Sequence, residues 1–250
     1  MTGRWRSGLV LLLSAALFFA VVLLGPGSEL GAMRHLLGFG NDPLGTPADV
    51  RPGGVYAFLE HQPGRTDLPV TWDPCREIHY QINPAEAPES AAKTVAFVRD
   101  GVAEVASITG LRFTYDGQTD RRPEAGDSAR LAGRAEPVLI SWATADEVGD
   151  LKGDVAGVGG AAARSFGDDG RLWYVTGAVT LDADSFAQLE DESDGADYQR
   201  AILLHELGHL VGLDHVKSSH ELMFADNVGR LDFGQGDLNG LVRMGKGDCR

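Results

Sequence analysis

Three histidines and a glutamate fall in one short run, His205-Glu206-Leu207-Gly208-His209-Leu210-Val211-Gly212-Leu213-Asp214-His215. Neutral imidazole nitrogens are good ligands for a divalent metal, and a carboxylate beside such an ion can move protons. The lead-in Tyr198 to Leu204 is rich in helix formers, and Ile202, Leu203, Leu207 and Leu210 continue one apolar stripe, which predicts a helix. On it His205 and His209, four apart, share a face, while Glu206 is turned by about 100° and stays beside the ion rather than on it. Gly212 reads as the helix stop, because glycine enters the left-handed region without a Cβ clash and can swing the chain back until His215 reaches the same ion. Three protein nitrogens leave a fourth tetrahedral position for water, the mark of a catalytic rather than a structural zinc. The chemistry this allows is hydrolysis of a peptide bond by a zinc-activated water, with Glu206 as general base and then as proton donor to the departing amine.

With every fixed position filled, the run resembles the extended zinc signature of the metzincin metallopeptidases, His-Glu-x-x-His-x-x-Gly-x-x-His. Glu221-Leu222-Met223-Phe224 resembles the methionine turn that metzincins carry beneath the metal, and Met223 lies eight residues after His215, a spacing similar to the matrixin branch. Val216 stands where matrixins usually have Ser, and Phe224 and Ala225 stand where Tyr and Pro are common. The resemblance covers roughly residues 70 to 250 and implies one catalytic zinc, a protein or peptide substrate, and Met223 as the floor of the site. It also implies that the small-residue stretch around Gly159, Gly160 and Ala161 is the edge strand above the zinc, along which an extended peptide would dock through backbone hydrogen bonds. From composition alone the same stretch suits a tightly packed interior strand equally well. On the docking reading, Gly159→Val or Gly160→Val raises the Michaelis constant and leaves zinc content intact.

Arg4 and Arg6 precede an apolar run from Leu9 to Leu24, the charge order of an export segment. As a helix its 16 residues would reach about 24 Å, short for a hydrocarbon core of about 30 Å, yet no Ala-x-Ala-like cleavage site follows. Residues 1–24 are therefore either a retained anchor or a cleaved signal, and the rest is expected outside the cytoplasm. Residues 25–69, rich in Gly and Pro, read as a stalk or linker whose Val55 to Leu59 patch packs on the domain, and residues 70–250 as the catalytic domain. Cys75 and Cys249 suit an exported chain and are read as one disulfide rather than, for Cys75, a zinc-blocking thiol.

A net charge of −14 argues against nucleic acid and anionic membrane surfaces as partners, leaving the apolar N-terminal run as the one route to a membrane. Seven acidic groups between Asp182 and Asp197 read as a solvated loop. Calcium is kept as a second candidate cofactor, with Gly167-Asp168-Asp169-Gly170 as its site or, equally, as a tight turn.

Ile78, Tyr80 and Ile82 alternate with polar residues in a first strand, with His79 facing solvent. A long helix spans Glu89 to Ile108, capped by Ser90 and stopped by Gly110. Strands are predicted at Leu111 to Tyr115, Val138 to Trp142, Val155 to Ala163 and Ala178 to Leu181, and a closing helix at Gly236 to Met244. The class is α+β: a zincin-like, twisted, mostly parallel sheet with an antiparallel edge strand, two long helices, and a small C-terminal subdomain with a third helix. The chain thus reads as a monomeric zinc endopeptidase of extracellular or envelope proteins. The rivals are a silent envelope module that binds zinc or peptide without cutting, and a stalk domain stabilised by a fossil metal site.

Overall fold

The computed structural model describes residues 42–123, 136–166, 170–226 and 229–250, with Ser14, Phe18, Ala20 and Val21, which are helical. Residues 167–169 of the Gly167 to Gly170 stretch, the middle of the segment between Gln118 and Pro137, and most of the Leu9 to Leu24 run lie outside the described residues. Among the described residues no helix is long and apolar enough to cross a membrane.

Short extended pieces come first: β1 (Ala57–Phe58), β2 (His61–Gln62), β3 (Arg65–Pro69) and β4 (Thr71–Trp72). The alternation read from Ile78 builds β5 (Glu77–Asn83), with Ile78, Tyr80 and Ile82 buried and His79 exposed beside Asp116. Next comes α1 (Ala91–Thr109), which Gly110 stops in the left-handed conformation at φ 73°, its N–H donating to the Ala106 carbonyl. The predicted Ser90 cap is in place but its hydroxyl makes no capping bond. Strands β6 (Arg112–Gln118), β7 (Val138–Ala143), β8 (Gly157–Ser165) and β9 (Leu172–Asp182) follow, then α2 (Ala183–Glu190), α3 (Gly195–Val211), β10 (Leu213–Asp214) and α4 (Gln235–Met244).

The sheet confirms the predicted class. Strands β6, β5, β7, β9 and β4 run parallel, and β8 lies antiparallel along β9 with no further strand on its outer side among the described residues. Every residue of β7 is buried, as in a strand covered on both faces. Val98, Val102 and Val105 of α1 and Leu203, Leu207 and Leu210 of α3 share one core with Ile78, Tyr80, Ile82 and Ile140. That core fixes α3 against the sheet, and the sheet's antiparallel edge lies across it.

Two expectations are corrected. The acid-rich stretch after Asp182 is not a loop: Ala183 to Glu190 form α2, because the Asp182 carboxylate accepts the Ser185 N–H at 2.7 Å as an N-cap and Phe186 is buried against Trp142. Nor do residues 42–69 behave as a linker, since they are bonded into the domain. Leu44 N–H donates to the Pro74 carbonyl, Ala48 N–H to Ile108, and β2 and β3 form a hairpin. Phe58 packs on the core as predicted for its patch, while Val55 and Tyr56 are exposed. At the far end Cys75 and Cys249 are joined in a disulfide, Cα to Cα 5.4 Å, so Cys75 offers no thiol to a metal.

Candidate metal centre

Helix α3 carries His205, Glu206 and His209 as its sequence predicts, and Gly212 ends it at φ 114°. A Cβ there would lie 2.5 Å from Met244 Cε, so both backbone freedom and lack of bulk are needed at this turn. The turn carries the chain into β10 and brings His215 back to the helix. The three Nε2 atoms form a triangle: His205 to His209 3.1 Å, His209 to His215 3.1 Å and His205 to His215 3.0 Å.

The outer ring nitrogens explain why this triangle could hold a metal ion. His205 Nδ1 donates to the Leu222 carbonyl at 2.7 Å, and His209 Nδ1 to the Leu213 carbonyl at 2.8 Å. A carbonyl only accepts, so Nδ1 carries the ring proton in both residues and each Nε2 turns a lone pair toward the others. Burial holds both rings in this neutral form, pushing His205 down to about 4 and His209 to about 3. Converging lone pairs repel unless a cation joins them. Three nitrogens held about 2.0–2.1 Å from a tetrahedral zinc stand about 3.3 Å apart, a few tenths of an ångström more than these edges. The residues fit the ion.

Glu206 is buried, and burial raises its carboxyl to about 8. What packs over it is β8. A Cβ added at Gly157 would fall 2.8 Å from Glu206 Cγ and 3.1 Å from its Oε1, and one at Gly159 would fall 2.4 Å from the Glu206 carbonyl oxygen. A Cβ at Gly160 meets nothing within 4 Å. The glycines therefore differ: Gly157 and Gly159 admit helix α3, whereas Gly160 has room. This overturns the expectation that Gly159→Val would spare the metal, since that side chain collides with backbone between two ligands. Gly157 belongs to the small-residue stretch read from the sequence, and its two-residue spacing from Gly159 puts both on one strand face.

Met223 is buried under the helix, and a Cβ at Gly208 would sit 2.6 Å from its sulfur, so the glycine between the helix ligands is the seat of the methionine. The turn is tied back twice, through Leu222 to His205 and through Val216 N–H to the Met223 carbonyl at 2.9 Å. Two buried carboxylates, whose anchoring role the sequence did not disclose, tie it to α4. Glu221 Oε2 accepts Gly236 N–H at 2.8 Å and Asp237 N–H at 3.2 Å, while Asp237 accepts from Leu222, Gly234 and Met223. Burial raises the Asp237 carboxyl against the lowering effect of its backbone donors. A second cluster, Asp73, Cys75 and Cys249, has its sulfurs bonded to each other.

The sequence profile of the matrixin peptidase family matches residues 71–241. No curated protein sequence matches the chain. Among solved structures, a chain of the ECX AB5 holotoxin in its GM1-bound form is similar at 15% identity and TM-score 0.46, covering 81% of this chain and 93% of that one. Archaemetzincin from Methanopyrus kandleri is similar at 14% identity and TM-score 0.41, covering 67% of this chain and 95% of that one.

Proposed function

The chain belongs to the matrixin family, and from that premise we propose that it is a zinc-dependent endopeptidase that cuts extended segments of extracellular or envelope proteins. The observation that carries the proposal is the triangle of Nε2 atoms at 3.0–3.1 Å, with the His205 and His209 rings locked from behind by carbonyls. His205, His209 and His215 hold the ion. Zinc bound there supplies a Lewis acid that polarises a carbonyl and acidifies water to a pKa of about 7.

Glu206 then performs the proton transfers. Its carboxylate takes a proton from the water attacking the scissile carbonyl carbon and delivers it to the departing amine nitrogen. Burial alone favours the neutral acid, and a cation held by the three histidines would favour the ionised carboxylate that this step needs. Met223 and Gly208 set the floor against which the helix ligands rest. Along the outer edge of β8, the unpaired backbone near Gly159, Gly160 and Ala161 binds the substrate as an added strand, with affinity drawn from main-chain hydrogen bonds. The Cys75–Cys249 disulfide supports an oxidising location outside the cytoplasm. Export would run through residues 9–24.

Assay of the full chain on denatured casein, with and without a zinc chelator and beside Glu206→Gln, tests the proposal. The wild type should cut, the chelator should stop it, and Glu206→Gln should lose at least about 10³-fold in kcat with its zinc retained. Zinc-loaded wild type that cuts no member of a broad peptide library would instead mark a binding module.

A further inference from the structure

The third ligand is the one that the catalytic helix does not hold. His215 is exposed and follows a left-handed glycine and a two-residue strand, which have little intrinsic stiffness. Part of what fixes the path of that turn is nearby, the His209 Nδ1 bond to the Leu213 carbonyl and the Val216 N–H bond to the Met223 carbonyl, and part comes from far away in sequence. Ala57 pairs with Asp214 and Phe58 with Leu213, antiparallel, and Leu59 N–H donates to the Gly212 carbonyl at 3.0 Å. Asp214, once placed, receives the His215 N–H at 2.7 Å.

The same segment is anchored upstream. The Arg51 carbonyl accepts from Gln235 Nε2 at 2.6 Å and Asn239 Nδ2 at 2.9 Å, and the Gly53 carbonyl from Asn239 Nδ2 at 3.1 Å. Val55 N–H donates to Glu221 Oε1 at 3.3 Å, the carboxylate that holds the start of α4. Backbone lies on backbone here, since a Cβ at Gly236 would fall 2.0 Å from the Val55 carbonyl oxygen. One extended piece of chain thus touches α4, the methionine-turn carboxylate and the turn before His215, and all of it precedes the residues matched by the family profile, 71–241.

We propose that residues 51–59 are a positioning strap that completes the metal centre by fixing the path of His215. The proposal rests on the zinc reading above. Without the strap, Gly212 to Asp214 lose a backbone partner, His215 samples several orientations, and the ion keeps its two helix ligands but binds the third weakly. The strap would act on metal affinity and ligand geometry without touching substrate.

The decisive comparison in the full chain is Leu59→Pro, which removes the N–H to Gly212, against Leu59→Ala, which keeps it. Zinc affinity is read by competition with a chromophoric chelator, and ligand geometry by the visible spectrum of the cobalt-substituted protein. Leu59→Pro should weaken zinc about 10- to 100-fold and lower the tetrahedral cobalt bands, with Leu59→Ala at wild-type values. Unchanged affinity and spectrum in Leu59→Pro overturn the proposal, even if its melting temperature falls. Should Leu59→Pro not fold, Asn239→Ala, which frees the strap at its exposed upstream anchor, should weaken zinc severalfold, and no weakening overturns the proposal. If the wild type binds neither ion, the zinc reading fails by itself. The strap is then judged in the metal-free chain by hydrogen exchange across Leu213 to His215, where faster exchange in Leu59→Pro supports it and equal exchange overturns it.

Discussion

The metal triangle has two unlike sides. His205 and His209 sit on one helix, half to fully buried, each ring fixed by a carbonyl behind it. His215 is exposed on a turn held before it by β1 and the Gly212 contact and after it by the Val216 bond to Met223. The first pair is positioned by local periodicity and a packed core, the third by tertiary pairing. Rigidity built into a helix comes with the fold, whereas rigidity built into a turn depends on whatever lies beside it.

Removing ligands breaks this comparison most directly. His209→Ala leaves ligands on two separate elements and should weaken zinc by about 10³-fold or more, while His215→Ala leaves a preorganised helix pair and should cost about 10- to 100-fold. Equal losses in a chelator competition would mean that the helix confers no advantage. The disulfide is the contrasting control, because it joins Cys75 to Cys249 and includes no residue of the triangle. Cys249→Ser should lower unfolding free energy by about 2–5 kcal/mol in urea and leave zinc affinity within twofold.

The buried carboxyl sharpens the helix side. Burial raises Glu206 to about 8 from an ordinary 4.5, so the fold prefers its neutral form. Stability from that preference is intact below pH 4.5 and is lost as the pH climbs toward 8. Metal-free Glu206→Gln should therefore be more stable than metal-free wild type at pH 8, by a few kcal/mol at most (order of magnitude), and the gap should close near pH 5. Urea midpoints at the two pH values check this. Gly157→Ala pushes on the Glu206 side chain and should cut kcat about 10-fold at unchanged zinc content. The smallest effect belongs to Gly160→Val, where the structure leaves room. It should raise KM two- to fivefold with kcat and zinc held, and no change would remove peptide docking along β8.

The sequence revealed most where position depends on neighbours along the chain. Helix α3, its Gly212 stop, the alternation of β5 and the length of α1 are all local patterns with a physical period. The return of His215 and the disulfide partners were legible because their residue types admit few other uses. What stayed hidden lacks a period. Strands of two residues, such as β1 and β10, carry no alternation to read. The charges of α2 concealed a helix whose only strong signals are the Asp182 cap and one buried Phe186. The need for glycine at 157 and 159, but not at 160, comes from a helix some fifty residues later in the chain.

The bond between Cys75 and Cys249 closes a covalent ring around every strand of the sheet except β4, both long helices and every imidazole of the triangle, and leaves residues 51–59 outside it. A protease that nicks the backbone once inside the ring releases nothing, because both pieces stay tethered through sulfur. A single nick between residues 60 and 74 cuts the covalent tie to everything upstream and leaves the turn's support held by its hydrogen bonds and packing alone.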